Sequence, residues 1–485
     1  MDPMRAEPKN MKKAMTNQKM KLTASILVLG LSAGAYAQKQ EPRPQMELMK
    51  QYPESKGMPR FPDFGFMLAP GQYTGRVFLL SQNFPKKEPA IDSGVEKIFT
   101  IDFMKDWEAY AIAVRNYVFE GNTKHGGTDA DFFLEDNKVR PWFHVPWQHW
   151  GPTGREGFHG LTQEGPIMQQ MLAPTQMQAK SHAYAVGFYN APGGYTIGRV
   201  WEDADRPNLG YMKTNGFPVG TVVGKVLFTT MDEKQVPYLK NPIEWQAYAY
   251  QSDIQDLASG APTPVPPRVQ TTVRAIQMDI MVRDKRADAT GGWVFGTFVY
   301  NGELGNKNRW ENLMPVGLMW GNDPKVTTNA SNAKPTRTII NKDLVETRIN
   351  ESDRMPAMHL GFAARLNGPV DNPNSSCMSC HSTAEYPVVS AILPFLNNPP
   401  VPIPPASAPT APAEWMRWFR NVPCATPFDP GKAISMDYSL QLAKSVQNFI
   451  EYKSQQTGGI FGLEYWSNGH KVRRGVHMEP GASKK

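Results

Sequence analysis

The stretches "TTVRAIQMDIMVRD" (residues 271–284) and "GGWVFGTFVYNG" (291–302) decide the fold. Apolar side chains recur at alternate positions, as in Ile276, Met278, Ile280 and Val282. Period two with β-branched and aromatic residues is the pattern of β-strands. Working outward, the same texture returns in "YTGRVFLLSQNF" (73–84), "SHAYAVGFYN" (181–190), "YTIGRVWED" (195–203) and "GTVVGKVLFTT" (220–230). Gly, Pro and Asn separate these runs, as turns require. The reading is a mainly β, sandwich-like domain over residues 67–350 with added helices. One such helix is predicted to be capped by Asp102, with Phe103, Trp107, Tyr110, Val114 and Val118 at helical spacing and "EGN" (120–122) as its stop. "APTPVPP" (261–267) predicts a proline-rich loop.

With 485 residues the chain is long enough for about two to four domains. It is 40% hydrophobic and 20% charged, which excludes wholesale disorder. The formal charge is +7, but residues 1–37 hold six Lys/Arg against two acids, and the rest carries only +3. That balance, without a Lys/Arg run interleaved with aromatics, argues against a nucleic-acid partner. Residues 1–37 read as a secretory signal peptide: a basic start, the apolar stretch "LTASILVLGLSAG" (22–34) and "AYA" at Ala35–Ala37. The stretch is short of the roughly 20 residues needed to span a bilayer. Export to the periplasm follows as the expectation, with no transmembrane segment after signal removal. Residues 38–66 read as an extended lead-in.

The character changes after about residue 350. Residues 351–466 are expected to form a small α-helical domain with a proline-rich insertion at 397–412, followed by a basic tail at 467–485. "ISMDYSLQLAKSVQNFIEYKSQQTGG" (434–459) predicts an amphipathic helix, with Leu440, Leu442, Val446, Phe449 and Ile450 on one face. Within this region "NPNSSCMSCHSTAEYP" (372–387) holds two of the chain's three cysteines. C-x-x-C-H is the attachment signature of c-type haem. Two thiols three residues apart can each add to one vinyl group of a porphyrin, and the next histidine can ligate the iron. The same residues leave two other readings open. A C-x-x-C pair can be a redox dithiol, although no thioredoxin-like context surrounds it. Cys377, Cys380 and Cys424 with a histidine can form a zinc site, although such sites usually come as two spaced pairs.

"CMSCH" after a signal peptide resembles the haem-binding domain of c-type cytochromes over about residues 355–465. The resemblance implies one covalent haem c, with Cys377 and Cys380 as thioether anchors and His381 as proximal iron ligand. It also implies a distal methionine shortly before a C-terminal helix, a place that Met436 fills. Met416, the Met355/Met358/His359 group and an open sixth position are the alternatives. The family's small domain begins with a helix before the motif. Here "GPVDNPNSS" (368–376) contains two prolines, so that helix is short, displaced or absent.

A second constellation lies in "RPWFHVPWQHWGPTGREGFHG" (140–160), which gathers Trp142, Trp147, Trp150, His144, His149, His159, Arg155 and Glu156. It reads first as aromatic packing on the β core, and second as a ligand or metal site. No Rossmann fingerprint, phosphate loop, H-E-x-x-H or G-x-S-x-G is present. The sequence therefore points to a periplasmic monohaem protein that passes single electrons to a soluble or membrane-bound redox partner. A haem-dependent oxidoreductase whose β domain binds a small-molecule substrate is the alternative. A third reading is an interaction module whose β domain docks a partner.

Overall fold

The computed structural model describes residues 76–472 except 77, 149–154, 179, 251–267, 329–339, 358–359, 406, 457–464 and 468–469. The signal-like segment, the lead-in, the proline-rich loop at 261–267, and Met358 and His359 therefore lie outside the described residues.

In chain order the elements that matter are α1 (Ser93–Phe99), α2 (Trp107–Phe119), β1 (Thr162–Ile167), β2 (Ser181–Tyr189), α3 (Ala191–Val200), α4 (Leu209–Met212), β3 (Val222–Thr229), β4 (Glu244–Tyr250), β5 (Arg268–Arg283), β6 (Trp293–Tyr300), β7 (Leu313–Met319), β8 (Thr347–Ile349), α5 (Cys377–His381), β9 (Glu385–Tyr386), α6 (Ala413–Met416), β10 (Ile434–Ser435) and α7 (Leu440–Gln456). The sheet runs β1-β2-β3-β5-β6-β7-β8, with β4 also paired to β5, and every pairing is antiparallel.

The expected sandwich is corrected to a single eight-stranded sheet. Among the described residues, helices and loops cover its two faces where a second large sheet was expected. Two of the predicted strands also differ. Residues 195–203 fall largely in α3, because Asn190 caps Gly193 with its side chain and Pro192 pre-sets the first turn. The described part of 73–84 runs as irregular chain, with Ser81 bonded to the 140–160 segment: its N–H donates to His144 Nδ1 (3.0 Å) and its hydroxyl to the Trp142 carbonyl. The helix predicted from Asp102 begins later, capped by Asp106 through Ala109 N.

Residues directly opposite in an antiparallel sheet share a face. Phe188, Gly224, Ile280, Gly296 and Leu318 form one such row. It faces α2, since a Cβ on Gly224 would meet Val118 at 3.1 Å. The next row, Gly187, Lys225, Asp279, Thr297 and Gly317, points to the opposite face. That face is covered by α5 and α7. Phe295 lies 5.0 Å from the His381 ring, and Tyr189 Oη bonds Ser439 Oγ at 2.8 Å. Leu442, Val446 and Phe449 of α7 are buried, and residues 357–449 contribute apolar side chains to the same continuous core as the sheet. The motif is thus built onto the sheet. Among the described residues no helix is long and apolar enough to cross a membrane.

Candidate functional site

The motif forms the short helix α5, and local chemistry explains why. Ser376 caps it in a reciprocal box: Ser379 N donates to Ser376 Oγ (3.1 Å), and Ser376 N donates to Ser379 Oγ (2.8 Å). Ser376 Oγ also donates to Asn322 Oδ1 (2.9 Å), which ties the helix start to the loop after β7. Upstream, the chain from 365 to 376 contains no α-helix. It approaches so closely that a Cβ on Gly361 would stand 1.8 Å from the Ser375 carbonyl. The helix that the cytochrome family carries before its motif is therefore absent here, as the two prolines allow.

Positions i, i+3 and i+4 share one side of a helix. Cys377, Cys380 and His381 accordingly open together to one side and are each half-buried, while Met378 and Ser379 are buried behind them. Burial nevertheless pushes the Cys377 thiol well above the usual range and the Cys380 thiol up to about 12. It also lowers His381 to about 4, against the raising effect of its bond to the Tyr438 carbonyl. At neutral pH the imidazole is neutral, as an iron ligand must be.

His381 Nδ1 lies 2.8 Å from the Tyr438 carbonyl, which assigns the proton to Nδ1 and leaves Nε2 as the acceptor nitrogen. The carbonyl is delivered by a strained turn. Asp437 (φ 48°) and Tyr438 (φ 66°) are both left-handed, a cost of order 1–3 kcal/mol each. Their partners hold them there. Asp437 accepts from Phe217 N (2.7 Å), Ala425 N (2.9 Å) and Trp293 Nε1 (3.3 Å), and Tyr438 Oη donates to the Val422 carbonyl (2.6 Å).

Met436 is fully buried, and its N–H donates to the Ala384 carbonyl (2.8 Å). These contacts hold the chain at Met436 near the Nδ1 edge of the imidazole. Met416 is partly buried at the end of α6. Cys424 stands apart from the cysteine pair, against Arg283 Nη2 (3.2 Å).

Beside Cys377, on the sheet, stands a polar group that sequence reading missed. Lys225 Nζ lies 3.3 Å from Glu164 Oε2, and both side chains are partly open to solvent. Gln277 Nε2 donates to Asp279 Oδ1 (2.9 Å) and Asp371 Oδ2 (3.1 Å). Thr297 Oγ1 donates to Asp279 Oδ1 (3.0 Å) and lies 3.8 Å from Cys377 Sγ. Burial, reinforced by Asp371, pushes Asp279 up to about 7. The sequence signal was there: a lysine and an aspartate stand at inward positions of otherwise apolar strands.

The 140–160 segment behaves as packing wherever it is described. Trp142 and Trp147 are buried. Arg155 donates to the carbonyls of Gly160 (3.0 Å) and Val145 (3.3 Å) and to Gln148 Oε1 (2.9 Å). Glu156 accepts from the N–H groups of Phe158, His159, Leu161 and Tyr248. His159 stacks on Trp245 at 4.2 Å and pairs with Asp129 at 2.8 Å, and burial drives His144 well below its usual value. His149 and Trp150 lie outside the described residues. A surface groove of about 620 Å³ lies elsewhere, along α1 and α2, and no motif residue lines it.

Among the described residues no group of three or more His, Cys, Asp or Glu is arranged to hold a metal ion, so the zinc reading gains nothing. No protein-family model matches this chain, and neither a curated protein nor a solved structure is similar to it.

Proposed function

We propose that this protein is a periplasmic monohaem c-type cytochrome that carries single electrons. The reading is supported by Cys377, Cys380 and His381 standing at i, i+3 and i+4 of one short helix, with His381 Nδ1 engaged by the Tyr438 carbonyl. Iron-ligating histidines characteristically donate their second N–H to a carbonyl or carboxylate, which fixes the ring and raises its basicity. The competing dithiol chemistry needs a thiolate, and burial, by raising both thiols, disfavours one.

Cys377 and Cys380 would hold the haem through thioethers, and His381 Nε2 would ligate the iron. The family resemblance implies Met436 as distal ligand, but Met436 lies two residues from the Tyr438 carbonyl that backs the Nδ1 side of the ring, whereas a distal ligand faces Nε2 across the iron, so the sixth position falls to another group or stays open. Bound there, haem supplies a one-electron Fe(III)/Fe(II) couple whose potential follows axial ligation, burial and hydrogen bonding. The chain's own part is to keep His381 neutral and oriented and to cover the site with α7 and the sheet.

Absorption spectra of the oxidised and dithionite-reduced protein test this. A sharp reduced α-band is expected, and Met436→Ala is expected to leave the spectrum of the oxidised form unchanged. Loss of a sulfur-to-iron band in that variant would put Met436 back into the ligand set. No visible absorption from a host competent in cytochrome maturation would end the haem reading.

A second reading, a haem-dependent oxidoreductase, is favoured by one observation. Lys225, Asp279 and Asp371 put a polar group beside the cysteine motif, where a pure electron carrier needs only apolar cover. Under it, a small polar substrate would enter there, and the region 140–160 would serve as scaffold. A substrate that reduces or oxidises the haem in the wild type but not in Lys225→Met would favour it, and no such substrate in a broad screen would weaken it.

A further inference from the structure

The middle of a buried sheet face is an expensive place for charge. Here Lys225 and Asp279 stand directly opposite each other on β3 and β5, flanked by Gly187 and Thr297 in the same row. Asp371 reaches the same spot from the loop before the motif. Its Oδ2 accepts from Gly368 N (2.9 Å) and from Gln277 Nε2.

Gln277 is fully buried and cannot turn away, because its Oε1 accepts from Val370 N (3.1 Å). A Cβ on Gly368 would stand 2.1 Å from Gln277 Nε2 and 2.4 Å from Asp371 Oδ2. Only glycine lets the loop close this tightly. One amide group thus clasps two carboxyl groups together, and like charges so placed cannot both ionise freely.

The charged and titratable groups that face the pair can be named by element. β1 supplies Glu164, β3 supplies Lys225 and α5 supplies Cys377 and Cys380. Lys225 is held charged by Glu164, Asp279 and Asp371, which raise it against the opposing effect of burial. The two cysteines carry no titrating proton once they are thioethers. Of the chain's own groups at this spot, Asp279 and Asp371 are the pair that one Gln277 amide holds together and that can take up a proton between them. Both carboxyls are pushed up by burial, Asp279 into the neutral range. The Thr297 hydroxyl alone separates Asp279 from the Cys377 sulfur.

We propose that Asp279 and Asp371 form a proton-binding site coupled to the iron, loading one proton on reduction and releasing it on oxidation. The proposal rests on the haem reading above. Its balance is one electron from an external one-electron donor protein and one proton from solvent, entering together. On oxidation by the acceptor partner both leave. Reduction removes one positive charge from a poorly solvated site, so the nearby carboxyl pair binds a proton more tightly. By linkage, the proton then stabilises the reduced state, and the potential falls as pH rises. A tenfold change in proton activity translates into at most about 59 mV for a one-electron couple.

The test is a potentiometric titration of the haem-loaded protein over about pH 5 to 9, on the wild type, Asp279→Asn and Asp371→Asn. The wild-type potential is expected to fall with pH around neutrality, with a slope approaching about 59 mV per unit. Each variant is expected to flatten that slope. A reduced-minus-oxidised infrared spectrum of the wild type supplies a second readout that needs no variant to fold. It should show a protonated-carboxyl band that gains intensity on reduction and shifts in heavy water.

A flat wild-type potential without such a band, on a protein that carries haem, overturns this proposal and leaves the cytochrome reading intact. A slope that survives in both variants also overturns it. Absence of haem overturns the cytochrome reading, and this proposal with it.

Discussion

The two faces of the sheet are made by the same strands and behave in opposite ways. On the α2 face, Phe188, Val226, Phe228, Ile280 and Phe298 are buried, and aromatic rings interlock: Phe228 on Trp245 at 4.2 Å, Phe132 on Trp310 at 4.6 Å. On the α5 face, the next residues along are Lys225, Asp279 and Thr297, with glycines at both ends of the row. One face obeys the rule that sheets hide apolar side chains. The other departs from it at the place where the cysteine motif docks. The comparison teaches that the first face supplies the stability and the second gives some of it up for a site.

The largest expected effect on this comparison is on the apolar face. Phe228→Ala should cost about 3–5 kcal/mol in urea unfolding, because the void beside Trp245 has no room to collapse. A cost below about 1 kcal/mol would mean that this face does not carry the fold. The next effect is on the strained turn. Asp437→Ala strips acceptors from three N–H donors and should cost about 1–3 kcal/mol. It should also alter the iron's spectrum while the haem stays attached, since the Tyr438 carbonyl is no longer aimed at His381. An unchanged spectrum would detach the turn from the site.

A subtler effect separates the faces by pH. Asp279 rises from an ordinary 3.8 to about 7 on folding, so the folded chain binds the proton more tightly than the unfolded chain. Its contribution to stability is complete below about pH 3.8 and is lost as pH rises through about 7. The loss runs at up to about 1.4 kcal/mol per pH unit for one proton. Unfolding of the wild type should therefore ease between about pH 4 and 7 relative to Asp279→Asn. Parallel curves for the two proteins would show that Asp279 titrates normally. The smallest effect is at Cys424, which is half-buried against Arg283. Cys424→Ser should change stability by less than about 0.5 kcal/mol and leave the haem in place.

What was legible in the sequence follows the range of the physics involved. Strands β2, β3, β5 and β6 were readable because their pattern is local, and burial is nearly complete in β2, β3 and β6. Helix α3 was not, since "YTIGRV" satisfies both a strand and an amphipathic helix, and the Asn190 cap that decides the matter lies outside the apolar run. The C-x-x-C-H spacing is a local pattern, so the haem reading could be raised from the sequence alone. The Asp437–Tyr438 turn was not, because its acceptors serve residues more than a hundred positions away, such as Trp293 and Phe217. Lys225, Asp279 and Asp371 were visible as charges but not as neighbours, because their meeting depends on strand register and on how a loop closes.

The central claim is that Cys377 and Cys380 anchor a haem. It is tested most directly by mass spectrometry of the protease fragment that contains residues 372–387, from protein made in a host that matures c-type cytochromes. The account predicts one haem covalently added to that fragment, and its loss in Cys377→Ala/Cys380→Ala. An unmodified fragment from such a host, or two cysteines joined as a disulfide, would contradict it.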